Sequence, residues 1–212
     1  MCAHSNNKKL VVISPPHYVG EEQEMVRKMI DAGLQYFHVR KPVFTKKETE
    51  QYLRDFPAAY RRVMILHDHY ELVEPYGLAG IHITRKHKNK GIEAHFINRH
   101  VSISTHSTAE VDELAGVYQY AFLSPIFDSI SKKGYCTTFT REGLKSFFAS
   151  YKGLTPVLAL GGMHHNTIPR IQNIGFGGYA VLGAIWSNFS HELLPNQSLQ
   201  AYKELRTLVS TS

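Results

Sequence analysis

Two glycines, Gly161 and Gly162, interrupt the stretch VLALGGMHHN (157–166) between an apolar strand-like run and the start of a helical pattern. Glycine accepts backbone angles that other residues resist, so one reading is a tight turn. The other is chemical: bare main-chain N–H groups ahead of a helix let an anion approach closely. A second small-residue junction, Leu182-Gly183-Ala184, follows the last strand-like run. His38 and Arg40 lie two apart and so share a strand face; the guanidinium can give two parallel donors to a phosphate or diphosphate, or else form an ion pair. The loop FDSISKKGYCTTF (127–139) carries Ser129, Ser131 and Lys132. Such a set can close hydroxyls and an ammonium onto an anionic ligand, or be an ordinary exposed loop. His67-Asp68-His69 superficially matches the HxH of metal-dependent barrel hydrolases, but a pair gives too few ligands for zinc. Hydrogen-bonded or surface roles account for most of the 13 histidines, including His164 and His165 at a helix start.

These residues need elements to position them. Apolar, β-rich runs fall at 10–14, 36–40, 63–67, 80–84, 100–104, 120–124, 156–160 and 178–183. Helical patterns separate most of them, at 21–34, 46–56, 108–116, 141–151 and 166–175, with Gly33, Gly116 and Gly175 as stop signals. Eight alternating units with no reversal point predict a single-domain (β/α)8 TIM barrel over 1–212, ahead of an open doubly wound sheet. The chain is short for that fold, so several helices must be reduced, above all between 85 and 99. In such barrels chemistry sits at the carboxyl ends of the strands. Those positions hold His38 and Arg40, His67 and Asp68, His82 and Thr84, Ser104 and His106, Ser124 and Pro125, Gly161 and Gly162, and Gly183. Loops after the seventh and eighth strands commonly build a phosphate site, so two neighbouring small-residue junctions there predict one; close packing is the competing explanation.

Composition narrows the partners. A net charge of +6 with scattered basic residues argues against nucleic acid and suits an anionic small substrate; RKHKNK at 85–90 reads as a solvated loop. No run is long enough to cross a membrane, and MCAHSNNKK lacks the apolar core of a secretory signal, which predicts a cytoplasmic protein without a membrane partner. Cys2 and Cys136 form no disulfide framework or paired-cysteine metal motif.

The ordered motifs resemble the thiamine-phosphate synthase/TenI family over nearly the whole chain. HVRKP (38–42) is similar to the family's QxRxK, HD (67–68) to its Asn-Asp, GIHIT (80–84) to GVHLG, and Ser104 with His106 to SxH. SPIFDSISK resembles GPxFxTxTK, and ALGGM and AVLGAI resemble AIGGI and VVSAI. The resemblance implies coupling of a thiazole phosphate to an aminopyrimidine diphosphate, giving thiamine phosphate and pyrophosphate. It implies Gly161, Gly162, Leu182, Gly183 and Ala184 at the thiazole phosphate, with Ser129 and Ser131 contacting the same substrate. Arg40, Ser104 and Lys132 take the diphosphate and the developing charge, with His38, Lys41 and His67 lining the substrate site. It implies magnesium at Asp68, although the second carboxylate position reads His87, which weakens a site that wants hard oxygen donors. Further departures are His38 for Gln, Pro42 for the motif lysine with Lys41 one place early, His67 for Asn, and Ser124 for Gly. Either Arg85, Lys86 and His87 replace magnesium, or only the thiazole-phosphate half persists. The second case covers a TenI-type thiazole tautomerase and a binding paralogue without turnover. The TenI histidine position holds Pro125, leaving His106 or His38 as acid–base groups. A homo-oligomer stays open.

Overall fold

The computed structural model describes residues 8–88, 90–96, 98–114, 116–128, 139–186 and 195–210. Eight parallel strands close into a barrel in chain order: β1 (Lys9–Ile13), β2 (Phe37–Val39), β3 (Met64–Leu66), β4 (Gly80–Ile83), β5 (His100–Thr105), β6 (Tyr120–Leu123), β7 (Val157–Leu160) and β8 (Gly178–Val181). Closure comes from β1 pairing β8, Lys9 opposite Gly178 and Val12 opposite Val181. It is reinforced where the buried Trp186 indole donates to the Ile13 carbonyl at 2.7 Å. Every strand matches a predicted run to within one or two residues. The runs are legible because both faces of these strands are covered, so even the outward positions are apolar.

The surrounding helices are α1 (Glu22–Asp31), α2 (Lys46–Arg54), α3 (Ala58–Arg61), α4 (Val73–Tyr76), α5 (Thr108–Asp112), α6 (Arg141–Ser150), α7 (Ile168–Ile171) and α8 (Pro195–Ser210). Thr45 and Glu48 form a capping box on α2, and Ser107 and Thr140 cap α5 and α6 through side-chain oxygens. Two predicted helices are much shorter than expected. The 166–175 pattern yields only the single turn Ile168–Ile171, with Pro169 in its first turn, and the 108–116 pattern stops at Asp112. Reduction between 85 and 99 is as expected, leaving a 3-10 turn at Ile92–Phe96. Sequence reading did not anticipate α3, α4 or α8.

Two layers of side chains result. Outward-facing strand residues such as Val12, Phe37, Leu66, Ile81 and Val181 pack against the helices as the main core. The barrel interior is divided. On the β1, β6, β7 and β8 side it is filled by Val11, Ile13, Tyr120, Phe122, Leu158 and Ala180. On the β2 to β5 side the buried interior is imidazole and hydroxyl: His38, His82 and Ser102 are fully buried and His67 nearly so. Such a polar half-core costs stability unless hydrogen-bonded.

Candidate active site

At the carboxyl ends of the strands the structure opens a cavity of about 410 Å³. Of the residues predicted for the site, Arg40, Lys41, His67, Asp68, Ser104, Gly161, Gly162, Leu182, Gly183 and Ala184 all line it. His38 does not; it is fully buried beneath the cavity floor. Ser129, Ser131 and Lys132 lie outside the described residues.

The β7 and β8 junctions form one corner. Gly161 and Gly162 adopt φ of +97° and +64°, where side chains are strained. A Cβ would lie 2.8 Å from Pro125 Cα at Gly161, and 2.9 Å from the Asp128 carbonyl oxygen at Gly162. Both glycines are therefore required by the turn itself. That requirement does not use up their donors: the N–H groups of Gly161, Gly162, Met163, Gly183 and Ala184 have no acceptor among the described residues. Gly183 differs from the other two, because a Cβ there meets nothing within 4 Å. N–H groups left open on two adjacent strand ends are the main-chain signature of an anion site.

The opposite wall is cationic. Arg40 is half-buried, its guanidinium without an ion-pair or hydrogen-bond partner among the described residues, and burial pulls its pKa down from the usual range. Arg85 also lines the wall. Lys41 is turned away from this field: its ammonium meets the Glu22 carboxylate at 2.6 Å and the His17 carbonyl at 2.9 Å, with both side chains at most 2% exposed. Tyr52 donates to the other Glu22 oxygen at 2.7 Å. Burial raises the Glu22 carboxyl and lowers the Lys41 ammonium, while their mutual attraction opposes both shifts. Asp68 is paired too, with Lys86 Nζ at 3.0 Å and His87 Nε2 at 3.5 Å from the same oxygen. His106 shares a 3.0 Å hydrogen bond with the Ser124 carbonyl at the rim; the Ser124–Pro125 peptide is cis.

Magnesium at Asp68 can be tested against this donor set. Asp68 is the sole carboxylate lining the cavity among the described residues, and an ammonium already sits on it. The position of the second carboxylate is an imidazole, whose pKa burial depresses. One carboxylate faced by two nitrogen groups does not fit a hard dication that prefers oxygen.

Below the floor lies a set of residues that spacing in the sequence does not group. His38 Nδ1 and His67 Nε2 share a hydrogen bond of 2.8 Å, and His38 Nε2 shares one of 2.5 Å with the Tyr120 hydroxyl. His82 Nδ1 is 2.9 Å from Ser102 Oγ, and its Nε2 is 2.8 Å from Ser104 Oγ. Burial drives all three imidazoles toward the neutral form: His38 and His67 fall well below 6.5 and His82 to about 3, with the neighbouring histidines adding to the shift. Their ring nitrogens come within 4.8 Å of one another, close enough to raise the question of a metal. Yet the His67 and His82 rings are stacked at 4.3 Å with 25° between planes, so their in-plane lone pairs run nearly parallel and do not converge on one point.

Comparison with known proteins gives consistent findings. The family model described as thiamine monophosphate synthase matches residues 10–185. A thiamine-phosphate synthase from Dictyoglomus turgidum is 27% identical over 172 residues, covering 78% of this chain and 76% of its own. The crystal structure of a thiamine phosphate pyrophosphorylase from Bacteroides thetaiotaomicron superposes with a TM-score of 0.80 at 30% identity, covering 94% of this chain and 96% of its own. One from Pyrococcus furiosus reaches 0.76 at 20% identity over 97% of each chain, a likeness of fold.

Proposed function

The chain belongs to the thiamine monophosphate synthase family, and from that membership we propose that it couples 4-methyl-5-(2-phosphooxyethyl)thiazole to 4-amino-2-methyl-5-hydroxymethylpyrimidine diphosphate, forming thiamine phosphate and pyrophosphate. One observation carries the reading: five main-chain N–H groups at the β7 and β8 ends, without acceptors among the described residues, share a single cavity with the Arg40 guanidinium, which has no partner among those residues either. Two phosphorylated ligands have a place each, one on main-chain dipoles and one on side-chain cations.

In this reading the thiazole phosphate rests on Gly161, Gly162, Gly183 and Ala184, which aims its ring nitrogen at the pyrimidine methylene and makes attack effectively unimolecular. Cleavage of the pyrimidine C–O bond places negative charge on the departing pyrophosphate, and Arg40 and Arg85 stand on the wall where it develops. Ser104 donates to the diphosphate from the floor. Ser129, Ser131 and Lys132 keep the roles that the resemblance implies. Magnesium enters no step, because Asp68 is engaged by Lys86 and faces His87; Arg85 and Lys86 supply counter-charge in its place.

The test is formation of thiamine phosphate by the purified protein from the two substrates, with and without EDTA. Product in both arms, lost in Arg40→Ala, agrees with the reading. Absence of product together with retained thiazole-phosphate binding would instead direct the assay to thiazole tautomer conversion, for which His106 at the rim and His67 at the floor are the available imidazoles. Binding without either conversion would identify a non-catalytic paralogue.

A further inference from the structure

A second cavity, of about 310 Å³, opens at the other end of the barrel. It lies between the start of β1, the turn leading from α1 into β2, and the second half of α8. Its polar lining includes Lys8, Lys9, Gln35, Tyr36, Tyr202 and Arg206, and no carboxylate lines it among the described residues. The substrate cavity is at the opposite strand ends, where Ile13 closes β1.

Three positive charges here lack a counter-charge among the described residues. Lys9 Nζ lies 5.6 Å from the centre of the Tyr36 ring and makes no hydrogen bond or ion pair among those residues. Lys8 Nζ donates to the Gln172 carbonyl and lies 3.4 Å from the Tyr179 hydroxyl, both uncharged, and burial pulls its pKa down. Arg206 donates through Nη1 to the Ala32 carbonyl at the end of α1, which leaves Nη2 and Nε for another acceptor. A Cβ at Gly33 would stand 2.9 Å from Arg206 Cζ, so that glycine lets the guanidinium settle on the turn. Elsewhere the protein neutralises its anchored cations: Lys41 meets Glu22, Lys86 meets Asp68, Lys88 meets Glu110 and Arg99 meets Glu74. Cations gathered around a hollow without carboxylates repel one another and attract an anion, as at Arg40 in the substrate cavity.

Solubility would account for exposed cations, but not for Tyr202. Its side chain is 1% exposed and lines the cavity, and its hydroxyl has no hydrogen-bond partner among the described residues. That hydroxyl is not among the polar atoms sealed in the packing without a partner, so it emerges into the hollow. A buried tyrosine ordinarily finds an acceptor for its O–H. Here the place for that acceptor is the cavity itself.

We propose that this cavity is a second anion site, built for a small phosphorylated molecule and separate from the substrate cavity at the far end of the barrel. A guanidinium fork suits two phosphoryl oxygens, the two ammonium groups act as point charges, and the Tyr202 hydroxyl donates to a further oxygen. Three cations call for more than one negative charge, which a phosphoryl group carries and a single carboxylate does not. The volume exceeds that of a bare phosphate and falls at the small end of ligand sites, so an ester or a diphosphate fits. Bound there, the anion ties β1 and the α1–β2 turn to α8. The site is argued without the coupling reading above and does not depend on it.

Calorimetric titration with inorganic pyrophosphate and, separately, with glycerol phosphate tests this on the full chain carrying Arg40→Ala and Gly183→Val, which silences the substrate cavity. Saturable binding of either probe, with a rise in melting temperature, is the expected result; the two arms tell a free oxyanion from an ester. Lys9→Met or Arg206→Met in that background should weaken binding about tenfold or more. Tyr202→Phe should weaken it by a similar factor while leaving the ligand-free melting temperature unchanged, which a merely structural hydroxyl would not do. In the otherwise natural chain these substitutions should leave the rate of thiamine phosphate formation as it is, so loss of this site and failure of the coupling reading are read separately. No saturable binding in the silenced background would overturn the proposal. So would binding that survives Lys9→Met, Arg206→Met and Tyr202→Phe undiminished, or a dicarboxylate such as malonate binding as tightly as the phosphoryl probes.

Discussion

Acidification is the perturbation for which the imidazole half-core makes the sharpest statement. His82 is fully buried with a pKa lowered by burial to about 3, and His100, at the amino end of β5, is lowered to about 4. His100 Nε2 is also without a hydrogen-bond partner. In the unfolded chain both return to about 6.5. Because the folded values lie below the unfolded one, their neutral burial carries no penalty above pH 6.5, and stability is lost as pH falls below it, since only the unfolded state takes up protons. Each pH unit below 6.5 then costs about 1.4 kcal/mol per histidine, so at pH 5.0 each accounts for about 2 kcal/mol and the two together for about 4. His38 and His67, shifted in the same direction, add to the slope. Against a typical total of about 5–15 kcal/mol, this removes a large share of the margin before the carboxylates titrate. Urea denaturation followed by circular dichroism at pH 7.5, 6.5, 5.5 and 5.0 measures it. His82→Gln, whose amide can still reach Ser102 and Ser104, should remove about 1.4 kcal/mol per pH unit from the slope below 6.5. A stability independent of pH across that window would refute the neutral burial of these rings.

Three more outcomes are expected. Gly183→Val, at a position with open space for a Cβ, should keep the melting temperature within a few degrees while weakening thiazole-phosphate affinity at least tenfold by calorimetry; Gly162→Val should instead unfold the protein, since its Cβ would lie 2.9 Å from the Asp128 carbonyl. EDTA should leave the rate of thiamine phosphate formation within about twofold of its value in magnesium, whereas Lys86→Glu, which replaces the cation beside Asp68, should make the rate depend on magnesium. Glu22→Ala strands the Lys41 ammonium in a site where it is 2% exposed, and should cost about 3–5 kcal/mol in urea denaturation.

How far the sequence reveals these things depends on the range of the interactions. The eight strands and the two glycine-bearing junctions are written locally, in unbroken apolar runs and in residues that only a positive φ requires. The helices are written less well: the 166–175 pattern has the spacing of a longer helix, but Pro169 and the turn at Gly175 leave it one turn long. The converse holds for α8, whose Tyr202, Leu205 and Val209 bury one face against the barrel at helical spacing that lies beyond the last strand. The cavity lining could be listed from strand ends, which is why Arg40, Asp68, Ser104 and the small-residue junctions meet there. What no local pattern could convey was partnership. Lys41 reads as a free cation until Glu22, nineteen positions earlier, is folded against it. His38, His67 and His82 are three unrelated rim histidines in sequence; inter-strand register, with His38 beside Ile65 and His82 beside Ser102, stacks them into one layer.

The closure of β1 on β8 also governs when the protein can exist during synthesis. Lys9 emerges from the ribosome first among the described strands, and its partner Gly178 nearly last. Until then β1 and β7 present two bare edges of a curled, unclosed sheet, the geometry in which stray strand pairing begins. A nascent chain halted before residue 178 therefore has β2 on one side of β1 and nothing on the other, and a chain halted before Trp186 lacks the indole that ties the seam to Ile13. Translation pauses inside that last stretch should raise aggregation of the newly made protein more than pauses anywhere downstream of it.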